Sequence, residues 1–241
     1  MLQFIDTHIH LQDFKPDCTP QVLDNTALKK MVSVSAQYTD FQKIAALMQQ
    51  HPGRIYGAFG IHPWYWREPL PAQELRARLE EFPRALVGEI GVDELKEKVS
   101  AGQHKLFSEQ LAIAKEYKRP VIIHAAKAFK ALMIHEEELK SIRYVYHGFT
   151  KNEELLQFII RTGGYIGLSA LFLKQKQAAK MWQMMPKNRI LFETDAPYRI
   201  DEADYGEIVQ QNLQRLSEIA QIDDENLAEL LIRNAEEFLN F

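Results

Sequence analysis

The chain predicts an α/β fold, a single closed (β/α)8 barrel, on three observations. Eight short apolar runs rich in β-branched and aromatic residues are spread along it, stretches with helical spacing separate them, and five of the eight runs carry an imidazole or a carboxylate at or near their ends. Runs of that kind are the mark of strands buried on both faces, as in a parallel sheet covered by helices.

Taken in order, the runs are FIDTHIH (4–10), MVSVSA (31–36), IYGAFGI (55–61), ALVGEIG (85–91), PVIIHA (120–125), YVYHGF (144–149), YIGLSA (165–170) and ILFETD (190–195). Helical stretches fall at 40–50, 72–82, 104–118 and 152–163; in the third, Phe107, Leu111 and Ala114 make one apolar stripe. Pro20 and Pro71 suit first-turn positions, Asn152 suits an N-cap, and Gly163 and Gly164 suit a C-terminal stop. The tail, 223–241, reads as a closing amphipathic helix with Leu227, Leu230, Leu231 and Phe238 on its core face. Alternation of strand and helix gives right-handed crossovers and parallel pairing, and eight repeats allow closure. An open doubly wound sheet is the alternative, but Gly88, Gly91 and Gly102 lack the dinucleotide-binding spacing.

A length of 241 residues fits one barrel domain, 1–241, and no Ser-, Gly- or Pro-rich linker divides it. With 46% hydrophobic and 26% charged residues the composition is that of a compact chain with a sizeable core. A net charge of -4 gives no global attraction to nucleic acid or anionic membrane, so any phosphate must be held locally. The single cysteine, Cys18, excludes an internal disulfide framework and fits a reducing compartment. No signal-peptide pattern or membrane-length apolar run is present, so the expected location is the cytoplasm, with no membrane association and no obligate protein partner.

Chemistry is expected at the C-terminal strand ends, where such barrels carry their functional rim. His8 and His10, two apart on a strand, point to one side and can share a cation. Two imidazoles leave room for carboxylate and water, which suits zinc, manganese or a similar divalent ion. Glu89, His124, His147 and Asp195 lie at or near the ends of four other runs and complete a candidate ligand set. Asp6 is either an acceptor that orients an imidazole or a buried carboxylate serving the strand ends. His62, in GIHP, is a candidate substrate contact, against a capping or packing role. His51, His104 and His135 lie in charged helical stretches and are expected to be structural.

With DTHIHL (6–11), GIHPW (60–64), GEIGVD (88–93), PVIIH (120–124), HGF (147–149) and ETDAPY (193–198), the chain resembles the TatD family of metal-dependent hydrolases, in order and spacing from first strand to last. The resemblance implies a TIM-type barrel with two divalent metals, Mg, Mn or Zn. It places His8, His10, Glu89 and Asp195 on one ion and Glu89, His124 and His147 on the other, with Glu89 bridging. It also implies deoxyribonuclease activity, often 3′ to 5′ exonucleolytic, on single-stranded DNA or DNA ends. Asp195 would accept the nucleophile's proton, and His62 and Lys127 would contact phosphate.

Where that family commonly has Ser-Arg-Asp-Ala, this chain has Ala125, Ala126, Lys127 and Ala128, so a point charge replaces a forked guanidinium. Arg199 is the nearest cation after the eighth run, as a site residue or a surface ion pair. Trp64, Tyr65 and Trp66 either stack bases or plug the barrel mouth. The competing functions are amidohydrolase cleavage of an amide, lactone or ester, and a noncatalytic metal-binding barrel in an assembly. Glu89, standing where the wider superfamily often carries a carboxylated lysine, favours the nuclease.

Overall fold

The computed structural model describes residues 1–95, 98 and 100–240. Its strands are β1 (Phe4–Ile9), β2 (Leu28–Val34), β3 (Ile55–Phe59), β4 (Leu86–Asp93), β5 (Val121–Ala126), β6 (Tyr144–Tyr146), β7 (Tyr165–Leu168) and β8 (Ile190–Phe192). They pair in parallel in sequence order. The first and last strands meet through the segment just beyond β8: His10 N donates to Ala196 O at 2.8 Å and Asp195 N to His8 O at 2.9 Å. The result is a single (β/α)8 TIM-type barrel whose seam is made by ligand-bearing residues.

Period-two alternation sorts the side chains into two layers. Ile5, Val32, Tyr56, Leu86, Ile122, Val145 and Leu191 gather in one cluster with Phe238 and Leu239 of the final helix, Asp224–Leu239. Phe4, Met31, Phe59, Val87, Ile123 and Ile190 join the larger cluster with the helices. The end of the final helix closes the N-terminal mouth: Phe238 lies 5.0 Å from the ring of Tyr165, and Arg143 Nη1 donates to Asn240 O at 2.7 Å. The opposite rim, at the C-terminal strand ends, is left for chemistry.

The helices at Asp40–Gln50, Ala72–Glu81 and Glu153–Arg161 fall where the periodicity puts them. The third expected helix begins earlier, at Ala101, because Ser100 Oγ accepts from Gln103 N and starts the turn there. On it Phe107 is fully buried, worth about 1.5–3 kcal/mol of burial. Asn152 caps its helix by accepting from Leu155 N at 3.0 Å, and Gly163, at φ +81°, stops it. Pro20 sits in the first turn of Thr19–Leu23, whereas Pro71 is the residue before its helix. In the final helix Leu227, Leu231 and Phe238 are buried but Leu230 is only half-buried; Asn234 is the inward residue instead, donating to Ile190 O at 2.9 Å. Residue 241 of that predicted tail lies outside the described residues. Among the described residues no helix is long and apolar enough to cross a membrane.

Candidate metal centre

All six predicted ligands meet at one rim. His8 lies in β1 and His10 one residue past its end, Glu89 in β4, and His124 in β5. His147 and Asp195 sit on loops just beyond β6 and β8. Two local departures from regular strand aim them. β4 slips against β5 between Val87 and Ile90, the stretch that holds Glu89. Asp195 takes a left-handed backbone, φ 58°, which an L-residue adopts only at a cost of roughly 1–2 kcal/mol. Gly91 is required beside them, since a Cβ there would collide with the His124 carbonyl.

Four donor atoms of the first set converge. His8 Nε2 and His10 Nε2 lie 3.2 Å apart. Asp195 Oδ1 stands 3.8 and 3.5 Å from them, and Glu89 Oε2 stands 3.6 and 4.0 Å from them. Metal–ligand bonds near 2.1 Å at tetrahedral angles put ligand atoms about 3.4 Å apart, so these separations are those of a coordination shell. The chemistry of the donors agrees, two imidazoles and two carboxylates, buried or nearly so.

The second set is built around the other oxygen of Glu89. Oε1 lies 2.7 Å from His124 Nδ1 and 3.9 Å from His147 Nε2, and the latter is 3.8 Å from Asp195 Oδ2. Each of these rings has its far nitrogen against a carboxylate: His124 Nε2 is 2.7 Å from Asp93 Oδ2, and His147 Nδ1 is 3.0 Å from Glu193 Oε1. A hydrogen bond of the His124–Asp93 kind orients the ring and aims its other nitrogen inward. Asp93 and Glu193 are thus neighbours of the cluster that the sequence reading did not single out. The available signal was their place inside the motif blocks, four residues after Glu89 and two before Asp195. The Nδ1 atoms of His8, His10 and His147 are all buried without a hydrogen bond among the described residues, so Glu193 meets His147 as a close charged neighbour only.

Protonation follows from these surroundings. Burial, which would raise the Glu89 carboxyl, is outweighed by His124, His8 and His147, so it stays well below the usual range. Asp195 is likewise lowered despite burial, by His10, His147 and His8. Burial and the His147 ring hold His8 well below its ordinary value, leaving it neutral. For His124 burial opposes protonation but Glu89 and Asp93 win, lifting it to about 9, and Glu193 with Glu89 lifts His147 to about 10. His10 is raised too, Asp195 and Glu89 outweighing its burial.

Asp6 does not orient an imidazole. β1 slips against β2 between Asp6 and Ile9, so the period-two count fails to carry from Asp6 to His8. Its carboxylate instead accepts from Thr194 N at 3.1 Å, Thr194 Oγ1 at 2.7 Å and Tyr205 Oη at 2.9 Å, tying the loop after β8 to the helix Tyr205–Ala220. His62 is buried, 4.3 Å ring to ring from His124, and its Nδ1 accepts from Trp64 N at 3.1 Å. Burial and His124 push its pKa down to about 3. Lys127, at φ 53°, and Arg199 line a cavity of about 290 Å³ that opens from His124, His147 and Asp195 between the loops after β5 to β8. Arg199 Nε also pairs with Asp195 Oδ2 at 3.2 Å. His104 and His135 bond to each other at 2.9 Å, away from the cluster.

A profile of the TatD related DNase family matches residues 5–240. The chain belongs to that family. It is a TatD-type metal-dependent hydrolase. An uncharacterized metal-dependent hydrolase of Escherichia coli K12 is 28% identical over 208 residues, 81% of this chain and 80% of its own. A 3′-5′ ssDNA/RNA exonuclease TatD of Enterobacter lignolyticus is 31% identical over 180 residues, 71% of this chain and 68% of its own. In fold, the crystal structure of a TatD homolog from Escherichia coli K12 superposes with a TM-score of 0.82 at 23% identity, covering 100% of this chain and 99% of that one.

Proposed function

We propose that the chain hydrolyses phosphodiester bonds of DNA, at single-stranded segments or ends, with two divalent cations. The observation that carries this is the approach of Glu89 Oε2 and Asp195 Oδ1 to the paired His8 Nε2 and His10 Nε2, at 3.5–4.0 Å, with the two imidazole nitrogens 3.2 Å apart. These four would hold one cation of Mg, Mn or Zn, and Glu89 Oε1 with His124 Nδ1 and His147 Nε2 the other. Bound there, such cations ease deprotonation of water and neutralise charge on phosphoryl and leaving oxygens.

The protein side chains do the rest. Glu89 presents one oxygen to each donor set and keeps the two in register. Asp195, which lines the cavity, accepts the proton of the attacking water. Water adds to phosphorus in line as the bond to the leaving ester oxygen breaks. His62, neutral, donates from Nε2 to a phosphate oxygen, and Lys127 Nζ gives the outer side of the phosphate a point charge. Removal of nucleotides from a 3′ end is the mode that we propose for the chain. A single free cysteine, Cys18, supports a cytoplasmic location.

The test is hydrolysis of end-labelled single-stranded oligonucleotides with Mn²⁺ or Mg²⁺, beside Glu89→Ala. Stepwise shortening by the native chain, lost in the variant while circular dichroism is unchanged, is the expected result. Turnover of lactones or amides with no release of nucleotides would move the chain to the amidohydrolase branch; full turnover by Glu89→Ala would refute the two-cation assignment.

A further inference from the structure

We infer that Trp64 and Tyr198 are stacking plates for the bases on either side of the scissile phosphate and set a preference for single strands over duplex. This rests on the phosphodiesterase reading above. Of the three aromatics that follow β3, Trp64 is the exposed one, at 44%. Tyr65 and Trp66 are half-buried, and Trp66 is covered by the Arg67 guanidinium 4.3 Å from its ring and packs beside Gly102. Tyr198, in the loop after β8, is 62% exposed.

Exposed aromatic rings are ordinarily loose, and these two are pinned. Trp64 stands edge-on to His62 at 4.9 Å, its backbone N–H bonds His62 Nδ1, and its side chain bonds Asp93. Tyr198 stands edge-on to His10 at 5.0 Å and donates its hydroxyl to Asp13 Oδ2 at 2.9 Å. Each plate is thus one imidazole away from the donor cluster: Trp64 through His62 to His124, Tyr198 through His10 to Asp195. A phosphate on those donors has a nucleoside on each side, and the plates come from separate loops. A ring already fixed loses little freedom on stacking, and stacking tolerates any base because every base has a π-face. Paired bases in a duplex keep their faces covered; a single strand offers them.

The experiment compares kcat and KM, with Mn²⁺ present, on a single-stranded oligonucleotide and on an abasic strand of the same length. The proteins are the native chain, Trp64→Ala, Tyr198→Ala and Tyr198→Phe, with metal content measured for each. The native chain should prefer the strand with bases. Each Ala variant should raise KM on that strand about five- to a hundredfold and lose the preference, and Tyr198→Phe, which keeps the ring, should recover it. Equal losses on both strands would show a structural role and overturn the inference, as would an unmoved KM. Should the native chain cleave neither strand, the phosphodiesterase reading falls and this one with it; cleavage of both without preference defeats the plates alone.

Discussion

Asp93→Asn is the substitution whose effect the geometry specifies most closely. Asp93 accepts from His124 Nε2 on Oδ2 at 2.7 Å and from Leu95 N on Oδ1 at 2.5 Å, beside a further bond from the Trp64 side chain. An amide has one oxygen. In either orientation its NH2 faces an N–H, and since the backbone donor cannot change, the oxygen stays with Leu95 and the NH2 faces His124. In the neutral ring that cation binding requires, the clash is relieved with the proton on Nδ1, where it bonds Glu89 Oε1 and leaves no lone pair there for a cation. Hydrogen bonds to charged groups are worth about 1.5–3 kcal/mol, or ten- to about 150-fold in an equilibrium constant. That range agrees with the losses of about 10–100-fold known for carboxylates behind metal-ligating histidines. Competition against a fluorescent chelator should therefore show Mn²⁺ affinity for one of two sites falling ten- to a hundredfold. The fold should persist, because Gln103 still bonds the Asp93 backbone. Affinity within twofold of native would refute the tautomer argument.

Three other outcomes follow from the structure. Cation loading must displace the protons that lift His124 to about 9 and His147 to about 10, so affinity should fall as pH drops below 9; calorimetry at pH 7 in buffers of different ionisation heat should report nearly two protons released, and none released would contradict it. Tyr144, buried and bonded to Thr162 at 2.6 Å, has its pKa pushed up by burial to about 12; its folded value exceeds the unfolded one near 10, so its contribution is complete below pH 10 and lost as pH rises toward 12, up to roughly 3 kcal/mol. Urea titrations across that range should show the loss, and Tyr144→Phe should remove this part of it. Gly91→Ala should lower the melting temperature and metal affinity together, by about 1–3 kcal/mol of backbone strain or more, because β4 and β5 would be forced apart at His124.

The barrel was legible because its strands are buried on both faces, which leaves continuous apolar runs with little to confuse them. Helices such as Phe129–Met133 and Ala170–Leu173 were not, being too short to show a 3.6-residue period. The six ligands could be read one by one, since an imidazole or carboxylate ending an apolar run has few other uses. What a run cannot show is a slipped register: β1 slips between Asp6 and Ile9, and of the two roles open to Asp6 its bonds to Thr194 and Tyr205 fit the buried carboxylate that serves the strand ends. Asp93 and Glu193 were missed for another reason. Each meets a histidine on a different strand, and that pairing exists only after the sheet closes.

Anomalous scattering from crystals grown with Mn²⁺ would test the central claim most directly. Two peaks are expected, one among His8 Nε2, His10 Nε2, Glu89 Oε2 and Asp195 Oδ1, and one beside Glu89 Oε1 with His124 and His147. A single peak outside both donor sets, or full occupancy that leaves Glu89 without a cation, would contradict the account.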